Sequence, residues 1–361
     1  MPPPAPTDEP VVTGTLHAFV AFDWGDEVDL DRARQLVPAE DRALPRRPRT
    51  PSSIAYRPPP LRFSLAPVDL ALPTQGAPPA ECEVTVFDFA AVSVAFQIPF
   101  RMPRPQLRQL AARLADPAPV VAAARAALAP LFAELRPAIR APLWRDDLGE
   151  EYFVFQMPPL GPGADRGPWL AGLVRLETEP LSDEEVAEAL RLNISYAPND
   201  LFVPDWAAAV LFDSDPGCNE TLRVIEFANV QLLEYRHIDD NMGSAYRRVQ
   251  EENRSRLRFW RRYDRSLRAL GDIKVEATDL FERTGNVLKL VGDQYLSRVY
   301  GLLAARFHLG EWEESIRRKL EVAEGVYRVI SDQAAAYRTE FLEVVVIGLI
   351  AFEIVLALVR H

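Results

Sequence analysis

All 32 prolines of the chain lie at or before Pro216, and the last 145 residues contain none. Proline removes a backbone donor and clashes with the preceding helical turn. Its distribution therefore separates sequence that must turn often from sequence free to run as uninterrupted helix. One uniform fold is excluded. Disorder throughout is excluded too, because 48% of the 361 residues are apolar and 9% aromatic, enough to bury a core in one or two domains. The expected class is α+β. A mixed α/β domain with proline-rich loops occupies residues 1–216, a long antiparallel helical coiled-coil stalk residues 217–340, and one carboxy-terminal transmembrane helix residues 341–359.

Residues 1–10 and 38–60 are proline-rich and expected to be irregular. Residues 16–24 read as a strand and 29–37 as a short helix capped by Asp29. Val and Phe dominate both arms of residues 83–98, which predicts a hairpin turning at 88–91. The alanine-rich stretches 106–114 and 120–135 read as helices, and 151–157, 170–177 and 206–213 as strands. Ser182 and Glu185 form a capping box ahead of a helix over 183–192.

Asn219 is a suitable cap for a helix that meets no proline and no clear stop until Gly271. A heptad seam is visible at Tyr235, Ile238, Met242, Ala245 and Val249, and resumes with Phe259 and Tyr263. A second helix, over 272–307, carries Ile273, Ala277, Leu280, Val287 and Val291 on one stripe. A third begins after Gly310 and can continue to the end of the chain. Three helices joined by single-glycine corners give an antiparallel stalk.

Residues 341–359 read FLEVVVIGLIAFEIVLALV, in which 14 of 19 residues are Phe, Leu, Ile or Val. A helix of that length covers about 28 Å, close to the hydrocarbon thickness of a bilayer. The apolar residues favour insertion by roughly 4 to 8 kcal/mol, against about 3 for one acidic residue near the centre. Glu343 sits at the edge of the span and Glu353 inside it. Expected localisation is a single-pass membrane protein with a cytosolic amino terminus, in a bacterial or organellar inner membrane. An ionisable group inside a span faces a partner, a bundle interior or water, so Glu353 is either a structural contact in a homo-oligomer or a pore-lining group.

Residues 247–268 hold nine arginines against three acidic residues, a local net charge of +6 in a chain of −11. Counting 1.5 Å per residue along the stalk puts the end of this run at the membrane surface. There Arg254, Arg258, Arg261, Arg262, Arg265 and Arg268 are candidates for contact with anionic lipid or RNA. Salt bridges within the stalk are the plainer use of the same charge. The overall acidity, with a pI near 5.1, argues against a general nucleic-acid coat.

No catalytic constellation stands out. The loop at 161–168 has three glycines but no G-K-[ST], and its prolines remove amides that a phosphate cradle needs. Two cysteines, Cys82 and Cys218, give no disulfide framework or metal-ligand spacing. His237 and Asn241 share a helical face beside Asp240, a pattern too common to assign a metal. No cofactor is expected, and the reading is of a non-enzymatic, oligomeric, membrane-anchored scaffold that recruits a cytosolic protein. A channel-like or transport-related oligomer with Glu353 in the span is the alternative.

The last helix resembles the carboxy-terminal part of the "required for meiotic nuclear division" family. The residues that carry the resemblance are Leu320-Glu321-Val322, Arg338, Leu342-Glu343, Val345, Ile347, Leu349, Ile350, Glu353 and Ile354. It implies a membrane-anchored, oligomeric protein, in a family whose mitochondrial member supports translation at the inner membrane. It carries over no catalytic residues.

Overall fold

The computed structural model describes residues 11–37, 58–74, 78–145, 147–159, 167–213, 219–254, 271, 273–275, 277–278, 281 and 294–359. The proline-rich segments 1–10 and 38–57, the glycine loop at 161–166 and Cys218 lie outside this set, as does most of 255–293.

Strand β1 (Val11–Asp23) organises everything near it. Through its whole length it pairs antiparallel with β5 (Ala91–Pro103), and from Thr15 to Ala21 with β7 (Glu150–Met157). Between them in sequence come β2 (Glu27–Val28), α1 (Leu30–Leu36), β3 (Leu61–Val68) and β4 (Ala80–Val86). After β5 come α2 (Arg104–Arg113), α3 (Ala118–Leu135) and the short β6 (Ile139–Arg140), which pairs only with β2. Then follow β7, α4 (Gly167–Val174), α5 (Asp183–Ala189), β8 (Leu201–Pro204) and β9 (Ala208–Phe212). The main sheet has seven strands in the order β3-β4-β5-β1-β7-β9-β8, antiparallel except for the β7–β9 pair. That one parallel pair is the place where α4, α5 and β8 intervene, as a parallel crossover requires.

Alternation along β1 divides the sheet into two faces. Leu16, Ala18, Val20 and Phe22 join Val84, Val94, Phe96, Phe153 and Phe155 in one apolar core, closed by Leu107, Leu128 and Leu170 from α2, α3 and α4. His17, Phe19, Ala21 and Asp23 occupy the other face and are also buried. Burial on both faces means that helices cover both.

Most elements expected from periodicity are present with shifted ends. The Asp29 cap is real, its carboxylate accepting from the Arg32 amide at 3.0 Å, and Ser182 caps α5 through the Glu185 amide at 3.2 Å. The hairpin turns at 87–90, with Ala90 at φ 65°. Residues 170–177 are the exception: they were expected as a strand and form most of α4 and its end. Leu170 to Val174 are buried on every side, so the apolar run has no alternation from which the period could be read. Pro168 stands in the first turn, where a helix tolerates it. The helix stops at Leu176, φ 57°, and the Glu177 amide returns to the Gly172 carbonyl at 2.9 Å.

Among the described residues, three further helices with defined ends follow. These are α6 (Asn219–Arg254), α7 (Gln294–Arg306) and α8 (Leu309–Val359). The break expected at Gly310 is made instead by His308, which adopts φ 53° while Gly310 lies inside α8. The His308 carbonyl accepts the Glu311 and Trp312 amides, both at 3.0 Å, so the new helix starts on the turn that ended the old one. Gly271 is itself helical. Tyr235, Ile238, Met242, Ile273 and Ala277 of the expected seams are buried; the other seam side chains lie outside the described set.

The chain divides into two compact units. Residues 1–237 and 278–312 form the first, which contains the sheet; residues 238–277 and 313–361 form the second, which is helical where described. Within the second, Lys319 of α8 forms an ion pair with Asp239 of α6, and Arg317 and Arg318 pair with Glu313 and Glu314 one turn earlier on α8.

Among the described residues, one helix is long and apolar enough to cross a membrane, Ala118–Ala138, which contains α3. Val120, Ala124, Leu128, Leu131 and Leu135 recur on one side of it and are buried in the core, the pattern of a helix packed against the domain.

Candidate functional site

The first four turns of α6 are covered on all sides. Leu222, Val224, Ile225, Phe227, Val230 and Leu233 are distributed around the whole helix, and Thr221, Glu226, Asn229, Gln231 and Glu234 are buried among them. A helix apolar all round belongs in an interior. Buried polar groups on such a helix need partners, because leaving one unmade costs about 1 to 3 kcal/mol.

The second face of the sheet supplies part of them. Cross-strand register sets Thr85, Ser93, Ala21 and Glu150 in one row across β4, β5, β1 and β7, with Asp23 one step further along β1. Thr85, Ser93, Glu150 and Asp23 are all buried. At the start of α6, Arg223 donates to Glu83 of β4 at 2.7 Å and to Glu226 at 3.5 Å. Two turns on, the Asn229 amide donates to the backbone carbonyl of Glu150 at 3.1 Å. At the end of the buried stretch, consecutive residues grip adjacent strands: Arg236 pairs with the Glu150 carboxylate and His237 Nδ1 meets Asp23 Oδ2. On another side of α6, Tyr300 of α7 donates to Gln231 at 2.5 Å, and Gln231 donates to Tyr235 at 2.9 Å.

Burial pushes the Glu150 carboxyl up to about 7; Arg236 opposes the shift and the neighbouring Glu151 adds to it. The guanidinium side chain is 46% exposed while the carboxylate side chain is 11% exposed, so the partner offsets only part of the desolvation. His17, on the same face, donates from Nε2 to the Gln156 Oε1 at 2.8 Å and is pushed down to about 4 by burial, which keeps the ring neutral. Glu226 Oε1, Asn229 Oδ1 and Ser93 Oγ have no hydrogen-bond partner among the described residues, so the seam holds spare polar capacity.

A second buried charge cluster holds α7. Asp205, in the β8–β9 turn, lies 3.1 Å from Arg175 at the end of α4 and 3.6 Å from Arg306 at the end of α7. Arg306 also reaches Glu188 of α5 at 3.3 Å, and Tyr152 donates to the Asp205 carbonyl at 2.9 Å. Burial raises the Asp205 carboxyl above its ordinary range, and burial raises the Tyr152 phenol well above its own.

The residues singled out from the sequence lie elsewhere. Glu343 is an exposed position on α8; Glu353 is in the same helix, with its side chain outside the described set. Arg254 is the last residue of α6, its side chain likewise outside, and Arg258, Arg261, Arg262, Arg265 and Arg268 lie outside the described residues altogether. His237 meets Asp23. Among the described residues no group of three or more His, Cys, Asp or Glu could hold a metal ion. The seam residues Asp23, Glu150, Asn229 and Arg236 were not found by motif. The available signal was the lack of a polar stripe over residues 221–235.

The fold and its seam define a class: an α/β sheet domain with helices on both faces, joined through acid–base pairs to the long helix α6. The chain belongs to the family described as "Uncharacterized protein MJ0711, N-terminal domain", whose profile matches residues 13–219, from β1 to the first residue of α6. A relative from Methanocaldococcus jannaschii, described as "Uncharacterized protein MJ0711", is 26% identical over 191 residues, 53% of this chain and 59% of its own. The chain therefore spans about three fifths of the length of the relative it matches. No solved structure matches.

This overturns the resemblance to the "required for meiotic nuclear division" family. The match lies in the sheet domain, and nothing places the chain's last helix in that family. Any long helix with an apolar end draws on Leu, Val, Ile and Glu, so agreement there reflects shared helix physics.

Proposed function

We propose that the protein is a non-enzymatic, oligomeric scaffold tethered to a membrane by residues 341–359, with the sheet domain offered to a cytosolic protein partner. The observation that carries the reading is the end of α8, where Leu342, Ile347, Leu349 and Phe352 are each at least 60% exposed. A continuous helix ending in exposed apolar side chains needs a cover, and large exposed apolar patches mark membrane or protein contacts. Length favours the bilayer, since 19 helical residues match its hydrocarbon core at about 1.5 Å each. An antiparallel coiled-coil stalk over 217–340 is part of the proposal, and the buried seam residues Ile238, Met242, Ile273 and Ala277 support it. Contact of Arg254, Arg258, Arg261, Arg262, Arg265 and Arg268 with anionic lipid or RNA rests on the sequence.

Deleting residues 341–361 tests the anchor. The full chain should sediment with membranes and stay there through an alkaline carbonate wash, and the truncated chain should be soluble. A truncated chain that remains in the washed pellet contradicts the proposal. A full chain released by the wash as a larger oligomer assigns the apolar end to self-association instead.

A further inference from the structure

The last buried turn of α6 ends in two acid–base contacts of unequal kind. Asp23 and His237 are both largely covered, their side chains 4% and 12% exposed. That contact sets His237 Nδ1 of α6 against Asp23 Oδ2 of β1. The neighbouring pair differs: the Glu150 carboxylate is enclosed while Arg236 is nearly half in water. Ionised Glu150 thus bears a desolvation cost that its partner meets only in part, and opening this turn of α6 to water removes the cost. The first compact unit also ends its leading stretch at His237.

We propose that Glu150 and Arg236 form a proton-dependent latch on α6, closed tightest when Glu150 is neutral and loosened when it ionises, with the Asp23–His237 contact as its fixed pivot. The inference stands independently of the membrane anchor. The charged groups that act on the carboxylate are Arg236 from α6 and Glu151 on β7; Asp23, the next position on that face of β1, is in contact with His237, and Ser93 and Thr85 in the same row are uncharged. The sign follows from linkage. A carboxyl that titrates near 7 when closed, and near its ordinary value when hydrated, binds its proton more tightly in the closed state, so acid favours closure and the effect is lost as pH rises through about 7.

Hydrogen exchange of the amides at 232–237, corrected for intrinsic rates, reads the latch in the full-length protein. Between pH 8 and pH 6 protection should rise about tenfold, the change expected when one proton is taken up across one unit on the acid side of the midpoint. Glu150→Gln should hold high protection at both pH values. Arg236→Gln removes the partial compensation and should make the pH step larger. The proposal is overturned if the wild type shows no step, or if the step persists in Glu150→Gln. A step abolished by His237→Gln while surviving in Glu150→Gln would move the titration to the pivot.

Discussion

At the scale of single residues, buried groups decide the pH response. His17 is held near 4, below its ordinary 6.5, so it contributes stability that is present above 6.5 and is lost as pH falls toward 4. Glu150 works in the opposite sense, contributing most below its ordinary value of 4.5 and least above 7. The two offset each other between about 4.5 and 6.5. His17→Gln should therefore flatten the acid limb and leave a protein that gains stability on mild acidification, measured by urea unfolding at pH 4.5, 6.5 and 8. If the variant loses stability on acidification as steeply as the wild type, His17 is not the group responsible. A different single-residue constraint sits at Gly14, where an added Cβ would lie 2.2 Å from the Gln156 carbonyl and 2.7 Å from the Phe100 ring. Backbone cannot yield there as a flexible side chain would. Gly14→Ala should cost ~3 kcal/mol or more in chemical unfolding, since it forces β1 and β7 apart.

At the scale of elements, helix α7 stays with the sheet through Arg306 on Asp205 and the aromatic contact of Phe307 with Tyr152, ring centroids 5.0 Å apart, and with α6 through Tyr300. Removing one member of a buried charge cluster leaves the others uncompensated, a loss on the order of 3 kcal/mol. Asp205→Ala should thus destabilise the fold by that order, with exchange at 294–306 rising before exchange in β1. Equal exchange across both would mean that the cluster does not hold α7. This scale also shows what sequence can and cannot reveal. Strands β1, β4 and β5 were legible because Val and Phe alternate in them or fill both arms of a hairpin, and α1 and α5 because Asp29 and Ser182 announce their starts. Helix α4 was misread because its apolar run is buried on all sides and carries no period. The reversal at His308 was assigned to Gly310, since a left-handed histidine has no sequence signature comparable to glycine. The pairing of Glu150 with Arg236 spans 86 residues and depends on strand register, which composition does not encode.

At the scale of the whole molecule, the proline boundary near 216 coincides with the end of the family match at 219, so the sheet domain is the shared part and the long helices follow it. The central claim is that the last of these helices ends inside a bilayer. Protease protection in sealed vesicles tests it most directly. Full-length protein inserted into liposomes and digested from outside should leave one protected fragment of about 20 residues containing 341–359, a length set by the hydrocarbon thickness. Digestion that leaves no protected fragment, with the intact liposomes verified by an enclosed marker, would contradict the anchor and return the exposed apolar end of α8 to a protein interface.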